Sequence, residues 1–190
     1  YIMAPLMMGL AFCAEPIVRL VLTDQWLPCV PFLRIFCITY MFYPIHTANL
    51  NAIKAMGRSD LFLKLEIAKK IVGMTLLLST MWFGVMAMAY SLLVSSVLSQ
   101  IINSWPNRKL LNYRYLDQVK DILPGIVLAI FMGCCVNLVR LLHLSNAATL
   151  LIQIPMGAII YIGASVIFRL ESFAYLWNMI KSLSKKKRNI

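Results

Sequence analysis

Few charges interrupt the apolar stretches of this 190-residue chain, and those that do are the first candidates for chemistry. Glu15 and Arg19 stand at i,i+4 with Pro16 between them, a spacing at which helical side chains meet. They either neutralise each other, with Arg19 reaching for the outer interface, or work on a solute. In the second reading Glu15 takes up a proton or cation and Arg19 faces an anionic substrate. Arg34 lies about one turn inside the next apolar stretch and Arg140 at the end of a later one. Arginines so placed snorkel to the interface or line the cationic mouth of a cavity.

A second group follows Pro44: His46, Asn49 and Asn51 within two turns. Pro44 removes a backbone hydrogen bond and kinks a span that contains it. The polar side chains beyond it need partners in hydrocarbon. They serve either as glue between neighbouring helices or as a kinked, polar, substrate-facing gate. No second His, Cys or carboxylate is spaced to make His46 a metal ligand, and His143 falls in a connection.

Asp117 and Asp121 are carboxylates at helical spacing, as a metal-dependent transferase would need. With Arg114 and Lys120 beside them they are better read as dipole-matching residues at a helix N-terminus. Five cysteines, Cys13, Cys29, Cys37, Cys134 and Cys135, form no CxxC pair and read as small apolar residues. The chain has no GxSxG, P-loop or HExxH. The expectation is therefore no catalytic residue, no metal and no cofactor.

The elements that position these residues must cross a bilayer. The chain is 61% hydrophobic and 13% charged, with a mean hydropathy of +0.80. A soluble domain holds about 25% charged residues. A span needs about 20 mostly apolar residues, and six are expected, at about 1–22, 31–56, 61–83, 85–104, 121–142 and 147–169. Pro31 suits a first turn, Gly57 a C-cap, and Ser59 or Asp60 a cap for the third helix. Gly84 divides the charge-free residues 71–102 into a hairpin.

The net charge of +11 raises the question of nucleic acid, but its placement answers otherwise. Fifteen of the 18 Lys and Arg fall in three clusters, at 54–70, 105–120 and from Arg169 onward. The alternate connections 23–30, 84 and 143–146 hold none. That bias puts the C-terminus and the basic tail, 171–190, in the cytoplasm. Trp26, Trp82, Trp105, Tyr113 and Trp177 fall near the expected interfaces. The tail's run of Lys185, Lys186, Lys187 and Arg188 reads as topogenic and headgroup-touching. Membrane lipids, not nucleic acid, are the expected partners. The chain opens at Tyr1 inside an apolar run without a signal-peptide pattern, so it is expected to be the later part of a longer protein.

Residues 26–35, WLPCVPFLRI, followed by 43–70, YPIHTANLNAIKAMGRSDLFLKLEIAKK, resemble the bacterial polysaccharide-export and Wzx-type O-antigen flippase family, within the larger group that includes MATE exporters. The shared features are a helix with Pro and Asn, then A-x-G-R-S-D and a charged start to the next helix. The resemblance implies an all-α integral membrane protein whose residues 1–170 form the C-terminal lobe of a two-lobed transporter, the N-terminal lobe being a partner within the same protein. It implies movement of undecaprenyl-diphosphate-linked oligosaccharide, a lipopolysaccharide or capsule repeat unit, across the bacterial inner membrane by alternating access. Coupling to a proton or sodium gradient and association with polysaccharide polymerase machinery belong to the same expectation. On it Arg19, Arg34, His46, Asn49 and Asn51 would meet substrate, Glu15 would couple the ion, and Pro44 would form the gate. A drug or cation antiporter of the MATE kind is the alternative; a glycosyl- or phosphoryl-transferase subunit is a weaker one.

Overall fold

The computed structural model describes residues 1–110, 115–142, 144–168 and 170–188. Tyr113, Arg114, His143 and Arg169 lie outside them, as do the side chains of Arg108, Lys109, Lys185, Lys186, Lys187 and Arg188. The described residues form helices and contain no strand. In order these are α1 (Met3–Phe12), α2 (Ala14–Val21), α3 (Val30–Met41), α4 (Tyr43–Ala55), α5 (Ser59–Thr80), α6 (Val85–Leu110), α7 (Tyr115–Leu138), α8 (Asn146–Ile167) and α9 (Glu171–Arg188).

Among the described residues four stretches are long and apolar enough to cross a membrane: Asp24–Ala55, Val85–Pro106, Leu116–Leu142 and Asn146–Ile167. The α1–α2 pair, bent by 66°, makes a fifth if it counts as one span. The chain is thus a multi-pass membrane protein, helical throughout its described spans. Expected span 61–83 corresponds to α5, whose 22 residues reach about 33 Å at the helical rise. It is absent from the apolar set, since Asp60, Lys64, Glu66, Lys69 and Lys70 lie inside it.

Proline chemistry sets the breaks. The first expected span is not one straight helix. Pro16 has no N–H for the carbonyl of Phe12 and crowds it, and α1 ends there. Pro44 acts in the same way on Tyr40, so the second span divides at Phe42 and Pro44 lies in the first turn of α4 rather than mid-helix. Pro31 occupies the first turn of α3, and Gly57 (φ 70°) ends α4. Gly84 (φ 94°) turns the chain between α5 and α6. Arg58, not Ser59 or Asp60, holds the N-cap position of α5, and no side chain caps it. Helix also covers most of the expected 105–120 loop and the tail.

α1 packs on α7 and α3, α7 on α8, and α3 on α6; α5 and α6 form an antiparallel pair beside α4. The α1–α7 core contains Ala4, Cys13, Leu128, Ala129, Met132 and Val136. Small residues allow close approach, the usual basis of helix association in lipid. At Gly133 an added Cβ would overlap the Phe12 ring, including its inner carbon. Gly133→Ala is expected to destabilise the protein by about 1–3 kcal/mol, as over-packing does. Gly163→Ala, in open space on α8, is expected to be neutral or slightly stabilising. Thermal unfolding of the two purified variants checks the contrast; equal melting points would contradict this packing.

Candidate functional site

Two polar groupings interrupt the apolar bundle. The first is a chain of four charges around the α1–α2 bend. Arg19 donates to Glu15 at 3.2 Å and to Asp24 at 3.1 Å, and Arg140 donates to the other Glu15 oxygen at 2.5 Å. Glu15, Pro16, Arg140, Leu144, Asn146 and Thr149 surround a cavity of about 220 Å³ there. Two guanidinium groups and two carboxylates leave no net charge. The link from Glu15 to Arg140 bridges 125 residues of sequence and fastens α2 to the turn after α7.

Arg34 stands apart from this chain. Its Nε donates to the Ala11 carbonyl at 3.3 Å, satisfying backbone opened near the bend. The structure therefore engages Arg19 and Arg34 separately: one on carboxylates, the other on a main-chain oxygen.

The second grouping is a groove of about 450 Å³ between α3, α4, α5 and α6. Each helix lines it with one face. Phe36, Thr39 and Tyr40 come from α3, and Tyr43, His46, Thr47 and Leu50 from α4. Glu66, Lys69 and Lys70 come from α5, and Leu92, Ser95, Ser96 and Ser99 from α6. The spacing is i, i+3, i+4 on every helix, the neighbour relation of a helical surface. Lys69 lies ten residues into α5 and Ser96 eleven into α6. Each is about 15 Å along its axis, about halfway along the helix.

Charge in the groove is unbalanced. Lys69 donates to Glu66 at 2.5 Å, whereas Lys70 has no ion-pair partner among the described residues. The two lysines face three serine hydroxyls, two tyrosines and His46. Such a lining offers a cation and several hydrogen bonds to an anionic or hydroxyl-rich solute.

Behind the groove a polar seam joins α4, α6 and α7. Asn103 Nδ2 faces His46 Nδ1 at 3.4 Å, which leaves the ring proton on Nε2, 3.4 Å from Ser96 Oγ. Asn49 donates to Gln118 at 2.9 Å, and Gln118 donates to Ser104 at 3.2 Å. Asn103 is fully buried, and its Oδ1 has no hydrogen-bond partner among the described residues.

The expected polar trio is thus divided. His46 lines the groove, Asn49 ties α4 to α7 behind it, and Asn51 is exposed outside it. Lys69, Lys70, Ser95, Ser96 and Ser99 join His46, although the sequence reading assigned the lysines to a basic cluster and gave the serines no role. Their signal was present: Leu92, Ser95 and Ser96 repeat the i, i+3, i+4 spacing of Glu66, Lys69 and Lys70, and Ser99 extends it by one more turn.

A family model described as "Polysaccharide biosynthesis protein" matches residues 1–31, which carry α1, α2 and the start of α3, with Glu15 and Arg19 inside them. No curated protein and no solved structure matches the chain. Over those 31 residues, then, this multi-pass helical membrane protein is similar to polysaccharide biosynthesis proteins.

Proposed function

We propose that the chain belongs to a flippase that carries polyprenyl-diphosphate-linked oligosaccharide across the bacterial inner membrane, and that it acts as a transporter rather than an enzyme. The observation that carries the reading is the groove, where Lys70 has no ion-pair partner among the described residues and hydroxyls cluster halfway along α5 and α6. A diphosphate with a sugar head cannot enter hydrocarbon without a cation and hydrogen-bond partners. The match of residues 1–31 to a polysaccharide biosynthesis family supports this substrate class.

In this reading the chain is the C-terminal lobe of a two-lobed, MATE-like protein that works by alternating access, with its C-terminus in the cytoplasm. The breaks at Cys13 and Phe42 are the joints at which helices would re-angle. A proton or sodium gradient drives transport, and no cofactor takes part. A cationic drug is a poor fit, since the lining of the groove, with Glu66, Lys69 and Lys70, is net positive.

The test is reconstitution of the whole protein in proteoliposomes with a radiolabelled lipid-linked oligosaccharide in the inner leaflet. The expected result is label that becomes accessible to an added glycosidase while its covalent structure stays intact. A hydrolysed or transferred sugar would point to a transferase, and no movement would overturn the proposal.

A further inference from the structure

The tail helix α9 is amphipathic and joins the bundle at its start. The Phe173 ring lies 6.1 Å from that of Tyr1 and stacks at 6.1 Å on Trp177. Tyr1 in turn lies 5.1 Å from Tyr161 on α8, whose hydroxyl donates to the Tyr1 carbonyl. This aromatic ladder fixes one end of α9 to Tyr1, just ahead of α1, and to α8. Beyond it Tyr175 is 68% exposed and Trp177 51% exposed, a large apolar area on a helix of mean polar character. Lys181 lies over the Trp177 ring at 5.7 Å, so cation and aromatic share one edge. The helix ends in a last turn carrying Lys185, Lys186, Lys187 and Arg188.

We infer that α9 lies in the plane of the membrane surface and docks on an anionic bilayer, drawn there by its apolar residues and by the positive charge its sequence carries. The charge argument selects this occupant. Past Glu171 the helix carries five cations and no acid. Each basic side chain near an anionic surface gains about 1 kcal/mol, and an amphipathic helix with Trp on its apolar side adds burial. The aromatic ladder gives this contact a route into α1, so surface charge would bear on the segment that matches the polysaccharide family. This inference stands apart from the transport reading.

Chymotrypsin reads the contact, because cleavage after Tyr175 or Trp177 requires α9 to open locally and lift off whatever it lies on, which docking on the bilayer would oppose. The intact protein is placed, one copy per disc, in nanodiscs of phosphatidylcholine or of phosphatidylcholine with phosphatidylglycerol. Release of the C-terminal peptide is then followed by mass spectrometry. Cleavage is expected to be roughly tenfold slower in the anionic discs, a small part of the surface attraction of five cations. One molar salt should remove that protection, as should a variant carrying Lys181→Gln, Lys185→Gln, Lys186→Gln and Lys187→Gln. Equal rates in the two lipids would overturn the proposal. So would protection that survives high salt, or that appears only with two copies in a disc, which would assign the face to a second chain.

Discussion

Removing the Arg140 guanidinium, as in Arg140→Gln, is expected to destabilise the protein by about 1–3 kcal/mol, while the same change made together with Glu15→Gln costs far less than the two single changes added. Glu15 accepts from Arg140 and Arg19, and both ends of the Glu15–Arg140 pair are only about a third exposed or less, at 27% and 34%. Losing Arg140 leaves one carboxylate oxygen without its donor in a poorly hydrated site. Losing both groups removes the attraction and the uncompensated charge together. The interaction energy from unfolding of the four proteins measures the link between α2 and the turn after α7. Strict additivity would mean that the pair contributes nothing.

The same variants bear on ion coupling. A charge chain with no net charge reads most simply as a fastening at the α1–α2 bend. If Glu15 also couples transport to an ion, Glu15→Gln should uncouple transport from the gradient beyond what its lost stability explains.

How far the sequence disclosed this arrangement depends on the range of each effect. Local chemistry was legible. Pro31, Gly57 and Gly84 mark helix ends by backbone rules that need no tertiary context, and they stand where those rules put them. Pro44 marked a kink, displaced by two residues because the helix breaks ahead of the proline. Pro16 carried the same signal, yet an unbroken apolar run from Tyr1 concealed the 66° bend. The Glu15–Arg140 contact was invisible, since nothing local links residues 125 apart. Glu15 was therefore read with Arg19 alone, and Arg34, expected like Arg19 to meet substrate, serves a backbone carbonyl.

The groove failed to appear for a different reason. Its four linings are each an ordinary amphipathic stripe, and only packing brings them together. Lys69 and Lys70 were grouped with Lys54 and Arg58 because basic residues near a loop usually set topology. Helix α5 begins at Ser59, which carries the two lysines three turns inward.

The most direct test of the transport account is the charge of Lys70, because among the described residues it pairs with no carboxylate and its removal orphans none. The measurement is transfer of lipid-linked oligosaccharide to the outer leaflet, normalised to protein in the membrane, in cells that depend on this protein. Charge-assisted hydrogen bonds contribute about 1.5–3 kcal/mol, so Lys70→Glu should lower transfer by roughly tenfold or more with protein level unchanged. Lys70→Arg should retain most of the activity, and Glu66→Gln, which adds net positive charge to the groove, should not lower it to a similar degree. Transfer close to normal in Lys70→Glu, or an equal loss in Lys70→Arg, would contradict a cationic groove that carries the diphosphate.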